Sequence, residues 1–473
     1  LLLNLAGRSS RRAVVASLLA LLCSACAGLA GPDYQRPDTP VKAQWSQSTD
    51  APATIRPDWW KNFQDPELDL LIQQALSGSI DLAILTARVN VARATIGQAE
   101  AAALPSIGAL AGVDHFSHTQ ADDTTRYSLG ADVNWELDLW GKIEKGVEAQ
   151  KADFKATEAE WRAGWLTLIS DVAGSYFRIR QFDEMIDQQR RSLDRARHIL
   201  GIYEAMHREG LVPKTQVLQQ KAEINRLEKE ALEFTRLRTV AQNGLATLVG
   251  VPANTLAVPK AHLRQTVHAV DVPAGLPSQL LARRPDILAA EYRVLQTHNL
   301  TGQARLARLP SLSLTSREGT AAFSLGDLFE AGTFGLTSAL SFPIFDPNIR
   351  ARIRVSEAQT KVTEQQYRRT VVGAFEEVEN ALTNLSNRKA QQVELEQRRE
   401  HLDVVSAQVD AQLKEGMVSQ LQVFEVERTL LDAEQELLIN HWQILTDTVA
   451  LYKALGGGWP EEAVIGRSDT DKE

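Results

Sequence analysis

Residues 127–137 read Tyr127-Ser128-Leu129-Gly130-Ala131-Asp132-Val133-Asn134-Trp135-Glu136-Leu137, apolar at every odd position and polar or glycine at every even one. A period of two is the period of a β-strand, so one face of this segment is apolar and the other polar. About ten residues of such alternation is the length of a transmembrane β-strand. The pattern returns more weakly at Phe334, Leu336, Ser338, Leu340 and Phe342, with shorter partners at Ile107, Ala109, Ala111 and Val113 and at Leu312 and Leu314. The spacing predicts four strands, at about 106–117, 125–138, 311–319 and 332–342.

Past the N-terminal region, no segment reaches the ~18 uninterrupted apolar residues of a membrane-spanning helix. A bilayer crossing by this chain would therefore use strands. Four strands cannot close a barrel, and an open sheet edge in lipid leaves its N–H and C=O groups without partners. The strands must be completed by other copies of the chain. The same alternation also fits a soluble β-sandwich, but the hairpins stand isolated between very long helices.

From Lys142 to Arg208 there is no proline, and Trp165, Val172, Ile179, Ile186, Leu193 and Leu200 recur every seventh residue. Leu168, Phe182, Ala196 and Tyr203 fill the complementary seam of this heptad. At 1.5 Å per residue such a helix is on the order of 100 Å long. A second proline-free stretch runs from Ile349 to Lys414, and the helix returning from it keeps Val423, Leu430, Leu437, Ile444 and Leu451 at strict sevens. Strict sevens imply left-handed supercoiling. Each long helix ends at a glycine turn, Gly210 or Gly416, where a residue without Cβ takes the left-handed cap. Pro105 and Pro310 stop a helix before a strand, and Trp135, Trp140, Phe342 and Phe345 crowd the strand exits like an interfacial aromatic girdle.

The halves repeat one another. Ala103-Leu104-Pro105-Ser106-Ile107 returns as Arg308-Leu309-Pro310-Ser311-Leu312, Glu209-Gly210-Leu211-Val212 as Glu415-Gly416-Met417-Val418, and Thr247-Leu248-Val249-Gly250 as Lys453-Ala454-Leu455-Gly456. The expected organisation is repeat 1 at 58–252, an inter-repeat segment at 253–274 and repeat 2 at 275–459. Their long helical hairpins fall at 141–250 and 346–456, and a polar tail follows at 460–473. The fold class is mainly α with membrane β.

The net charge of −9 argues against nucleic acid as a partner, which requires clustered excess Lys and Arg. Arg8, Arg11 and Arg12 precede an apolar run from Ala13 to Leu22, the layout of an export signal over residues 1–25. The two cysteines of the chain, Cys23 and Cys26, follow it, and Cys23-Ser24-Ala25-Cys26 resembles a bacterial lipoprotein cleavage box with Cys26 as the lipidated residue. Residues 26–57 then read as an extended anchor segment, and Ala27 points to the outer membrane by that resemblance. No Gly-rich phosphate loop appears. His115 and His118 read as part of a polar loop between the first two strands, and two ligands are too few for a structural zinc site. No catalytic, cofactor-binding or metal residue is expected.

Gly31-Pro32-Asp33-Tyr34-Gln35-Arg36-Pro37, Trp59-Trp60 with Phe63, Glu136-Leu137-Asp138-Leu139-Trp140-Gly141, Arg283-Arg284-Pro285-Asp286-Ile287, Leu309-Pro310-Ser311-Leu312-Ser313-Leu314-Thr315 and Leu451-Tyr452-Lys453-Ala454-Leu455-Gly456-Gly457-Gly458-Trp459 resemble the signature segments of the outer membrane factor family. Their closest likeness is to its lipoprotein, OprM-type branch, and it covers nearly all of 31–459. The resemblance implies a homotrimer in which four strands per chain complete a twelve-stranded β-barrel in outer-membrane lipid. Duplicated coiled-coil hairpins would form a tapering α-barrel across the periplasm. It implies the exit duct of a tripartite efflux pump, with a periplasmic adaptor protein and an inner-membrane RND-type transporter as partners. The tips Gly210, Leu211, Val212 and Gly416, Met417, Val418 would meet the adaptor. Leu421 and Glu425, one turn apart, would line the closed periplasmic end, with Glu in place of the family's usual Asp. One further departure is Thr301-Gly302-Gln303-Ala304-Arg305, which keeps the family's Gly and replaces the Ile before it. A type I secretion duct for polypeptides and a pore-less periplasmic coiled-coil scaffold are the competing functional classes.

Overall fold

A computed structural model describes residues 31–39, 44–46, 55–117, 123–267, 272, 277–330, 332–415 and 417–458. The expected leader 1–25, Cys26, His118, Gly416 and the tail 460–473 lie outside the described residues. The chain divides into two compact units, the first built from Leu1–Thr39, Arg88–Ala159 and Ala289–Thr370, the second from Pro40–Ala87, Glu160–Leu288 and Val371–Glu473.

The first unit carries the sheet. Strands β1 (Ser106–Phe116), β2 (Thr124–Leu137), β3 (Ser311–Ala322) and β4 (Gly332–Ser341) are antiparallel in the order β1-β2-β3-β4. Each half of the chain supplies one hairpin, and β2 pairing with β3 joins them. Register fixes the faces: Val133 lies opposite Ile107 and Ser316, and Ser316 opposite Leu336. The odd residues of β1 and β2 therefore share a face with the even residues of β3 and β4.

β3 is longer than its apolar alternation, which fades after Leu314. Pairing to β2 on one side and β4 on the other carries it through Arg317, Glu318 and Gly319. His115 lies within β1 rather than in a loop: it pairs with Thr125, and its Nδ1 is 3.0 Å from Thr125 Oγ1. The polar residues at this end of the hairpin look like loop residues because the strand stays regular after its apolar pattern has ended.

Four helices flank the sheet along the chain: α2 (Ile80–Ala101), α3 (Lys142–Arg208), α7 (Pro285–Leu306) and α8 (Pro347–Lys414). Within the first unit, α7 and α8 are joined by a ladder of hydroxyls. Thr297 Oγ1 meets Thr363 Oγ1 at 2.8 Å, and Thr301 Oγ1 lies 2.8 Å from Ser356 Oγ and 3.0 Å from Thr360 Oγ1. Thr301 is buried, so its departure from the family's Ile keeps the β-branched shape and satisfies the added hydroxyl on α8. Arg305 to Glu357 at 2.8 Å and an ion pair of Arg293 with Asp153 add charged contacts around the same helices.

The second unit packs around α1 (Pro66–Gly78), α4 (Lys214–Val249), α9 (Gln420–Ala454) and the remainders of α2, α3 and α8, with short helices α5 (Leu263–Thr266) and α6 (Pro277–Arg283) beside them. Trp59 stacks on Tyr452 at 4.6 Å, Phe63 meets Phe177 at 5.1 Å and Trp60 meets Trp165 at 6.0 Å, which accounts for the Trp-Trp motif as core. Asp65 caps α1 by accepting from the Glu67 N–H at 3.0 Å and also accepts the Tyr176 hydroxyl at 2.5 Å. A buried polar chain continues from there. Arg180 donates to Tyr176, Asp183 pairs with Arg238 at 2.6 Å, and Arg238 donates to the Val258 carbonyl at 2.9 Å, pinning the inter-repeat segment to α3.

The heptad positions Trp165, Leu168, Val172, Ile179, Phe182, Ile186, Leu193, Ala196 and Tyr203 of α3 are buried, as are all five on α9. Leu193, Ala196, Ile224, Leu227 and Leu431 form one apolar cluster of this seam, with Leu200 packed against it. Glu427 of α9 is half-buried nearby. Burial raises its carboxyl pKa, Asp410 and Glu223 push the same way, and Arg195 opposes them.

A carboxyl whose folded pKa lies above its unfolded value opposes folding once ionised. The penalty is present at neutral pH and is relieved as pH falls through the folded pKa. Amide exchange across the Glu427 turn, corrected for intrinsic rates, should therefore slow by roughly two- to ten-fold between about pH 7 and about pH 5. Glu427→Gln should show the slow rate already at neutral pH, and a variant that exchanges as the parent does at every pH would refute the assignment.

Candidate functional site

The sheet presents two chemically different faces. On one lie Ile107, Val113, Leu129, Val133, Leu312, Leu336 and Leu340, with Ile107, Val113, Leu336 and Leu340 each at least 66% exposed. A contiguous apolar surface of this kind marks contact with lipid or with another protein. The opposite face carries Ser106, Gly112, Ser128, Asp132, Asn134, Thr315, Arg317 and Thr337. Asp132 stands opposite Arg317, and Thr315 donates to Asn134 at 3.1 Å one pair further along. Glu318 places a carboxylate on the apolar face, opposite Phe334. Alternation in β3 alone does not reveal the Asp132–Arg317 pairing; the register does.

The aromatics at the strand ends divide into two kinds. Trp135 donates its indole N–H to the Ala103 carbonyl at 2.8 Å, and Trp140 donates to the Pro310 carbonyl at 2.6 Å. Both indoles thus tie a strand end to the backbone beside the prolines that stop α2 and α7. Phe342 and Phe345 are 59% and 74% exposed, and Arg350 lies over the Phe345 ring at 5.9 Å. An apolar body with a polar handle fits the interface of a bilayer.

At the first helical tip, Gly210 has φ +70°, its N–H bonds the His207 carbonyl at 3.0 Å, and the Leu211 N–H bonds Met206 at 2.9 Å. These are the two bonds of a Schellman cap. His207 Nδ1 also contacts the Val212 carbonyl at 2.9 Å, which ties the end of α3 to the turn before α4. At the second tip, Met417 N–H bonds the Gln412 carbonyl at 2.9 Å and Ser419 caps α9 by accepting from Gln422 N–H at 3.4 Å. Leu211 and Met417 are each 69% exposed, while Val212 and Val418 are half-buried. Large apolar side chains held outward on capped turns are surface available to a partner.

Leu421, 66% exposed, and Glu425, also exposed, project from one face of the first turns of α9. Glu425 makes no ion pair with a described residue, and its backbone carbonyl accepts from Thr429 at 2.6 Å. Two residues on, Glu427 takes the opposite environment. A lone sequence gives both acids the same look of a wet heptad face, and packing against α3 and α4 separates them. Among the described residues, no group of three or more His, Cys, Asp or Glu is arranged to hold a metal ion. Among them also, no single helix is long and apolar enough to cross a membrane.

Comparison with known proteins agrees with this geometry. A family model described as outer membrane efflux protein matches residues 71–251 and again 276–457. The pyoverdine export outer membrane protein OpmQ of Pseudomonas aeruginosa is 31% identical over 459 residues, covering 93% of this chain and 96% of its own. The probable outer membrane lipoprotein SilC of Salmonella typhimurium is 30% identical, covering 93% and 97%. The solved structure of the outer-membrane channel OprN superposes with a TM-score of 0.83 at 27% identity, over 91% of this chain and 99% of that one. Matched twice along its length by the same model, this chain belongs to the outer membrane efflux protein family, whose members are efflux channels of the outer membrane that reach into the periplasm.

Proposed function

We propose that this protein is the exit duct of a tripartite efflux system, passively conducting small toxic compounds from an inner-membrane RND-type transporter and a periplasmic adaptor to the outside. The observation that carries the reading is a four-stranded sheet with an apolar face, a polar face and two outer edges that have no partner strand among the described residues. Three copies, edge to edge, give a twelve-stranded barrel with the apolar face toward lipid and the Asp132–Arg317 face toward water. The protein is on this reading a conduit and not a catalyst. Its two capped tips offer Leu211 and Met417 to the adaptor, and Cys26 carries the lipid that holds the anchor segment 26–57 to the membrane.

The gate is assigned to Leu421 and Glu425. Three-fold symmetry turns the pair into a hydrophobic ring stacked on a carboxylate ring. Three carboxylates in one ring repel each other and attract cations, so neighbouring contacts must hold the closed state.

Purified protein in a planar bilayer should give discrete single-channel currents. Glu425→Ala should lower cation selectivity, and Leu421→Ala should raise resting conductance several-fold; unchanged selectivity and conductance in both would move the gate elsewhere. The Leu211→Asp, Met417→Asp double variant leaves the caps intact and should weaken crosslinking to the adaptor and raise drug susceptibility. Full efflux by that variant would remove the tips from the docking surface.

A further inference from the structure

The polar face of the sheet holds a cation to which none of these roles gives a task. Register sets Gly108, Asp132, Arg317 and Gly335 in one row across β1, β2, β3 and β4, all on that face. Side chains in strands stand roughly perpendicular to the sheet, so this row projects away from the apolar side. Arg317 is exposed, and among the described residues it has no hydrogen-bond or ion-pair partner.

Asp132 is the register partner of Arg317 on β2, yet its carboxylate leans the other way. Its Oδ1 occupies the space over Gly108, 2.8 Å from where a Cβ would stand, and its Oδ2 accepts from the Asn134 amide. Toward β4, a Cβ on Gly335 would meet no side chain within 4 Å, and its one neighbour would be the Arg317 carbonyl oxygen at 4.0 Å. The next residue of β3 on this face is Gly319. A Cβ there would lie 2.9 Å from the Leu129 carbonyl oxygen and 3.1 Å from Gly130 Cα, so only glycine lets β2 and β3 approach this closely. Of the other charged residues in the strands on this face, Glu136 is ion-paired to Lys142, and Asp114 stands opposite Arg126 at the strand ends away from the helices.

Closure of the sheet by three copies multiplies the row. Twelve strands about 4.8 Å apart and tilted about 40° enclose a barrel of roughly 12 Å radius. An extended arginine carries its guanidinium about 6 Å from Cα, whereas an aspartate carboxylate reaches only about 2.5 Å. Three Arg317 guanidinium groups then stand within about 10 Å of one another around the axis, while the three Asp132 carboxylates stay near the wall. A solute on the axis meets the cations first. Arg317 lies at the middle of β3, so the ring falls midway along the barrel. The planar fork of arginine matches carboxylate and phosphate oxygens two at a time, and rings of basic side chains favour anions in pores.

We propose that Arg317, repeated by three-fold symmetry, forms an oxyanion site in the lumen of the barrel that recognises the carboxylate or phosphate groups of passing solutes. The site rests on the trimeric conduit reading and adds to it a class of cargo, small compounds bearing several acidic groups. Its charge is opposite to that of the ring assigned to Glu425, so each can be removed without the other.

The test is single-channel recording of the full-length protein in a planar bilayer of uncharged lipid at about 0.15 M salt, with citrate or tripolyphosphate added as the probe of carboxylate or phosphate recognition. Either should reduce the current in a concentration- and voltage-dependent manner, and acetate at equal ionic strength should not. Arg317→Gln should weaken the block by about ten-fold, and Arg317→Lys by about three-fold, since lysine keeps the charge and loses the fork. Asp132→Asn should instead strengthen it by about two-fold by removing a competing carboxylate, a change that mere damage to the strands would not produce. Block by one probe alone supports the site and names the group it recognises. Block by neither, equal block by acetate, or unchanged block in Arg317→Gln would each overturn the proposal. Currents from the parent chain without added anion report the conduit reading separately: their absence would sink both readings, whereas parent channels indifferent to both probes would sink only this one.

Discussion

An N–H or C=O left unpaired in hydrocarbon costs several kcal/mol, and this chain carries two rows of them. The outer edges of β1 and β4 have no partner among the described residues, although the sheet between them is fully paired. Water could satisfy those edges, but the apolar face would then be exposed across its whole width. Lipid satisfies the face and not the edges. Only closure with further copies satisfies both, so the sheet dictates oligomerisation before any feature of the helices is considered.

Duplication makes that closure economical. Each half contributes one strand hairpin and one long helical hairpin, and the pairing of β2 with β3 joins the halves into one sheet. The helices then solve a separate problem, holding long parallel surfaces together without a large globular core. In the second unit they use a heptad seam, Trp165 to Tyr203 on α3 and Val423 to Leu451 on α9. In the first unit α7 and α8 meet through Thr297, Thr301 and Thr363, hydroxyl pairs that fix register where apolar contacts alone would slide. Glu427 is an acid set half-buried against α3 and α4, where burial raises its carboxyl pKa.

How much of this was legible depended on whether a signal was local. β2 could be read from its own eleven alternating residues, and the α3 and α9 seams from strict sevens. The last residues of β3, Thr320 to Ala322, could not, because they lie past the expected end at 319 and are held in the strand by pairing to β2. His115 read as loop for the same reason. The tips and the Leu421–Glu425 face were located by resemblance and by glycine, and the cap at Gly210 has a local cause visible in the chain.

Inter-chain disulfide formation between the two sheet edges is the most direct measurement of the account. Chains carrying one cysteine on β1, at Ile107 or Val113, and one on β4, at Phe334, Leu336 or Leu340, would be oxidised in membranes and resolved without reductant against the parent chain. Edge-to-edge closure predicts that at least one β1–β4 combination yields covalent dimer and trimer, while cysteines on β1 alone or β4 alone yield no trimer. Failure of every combination to link separate chains in protein that is folded and membrane-inserted would contradict it.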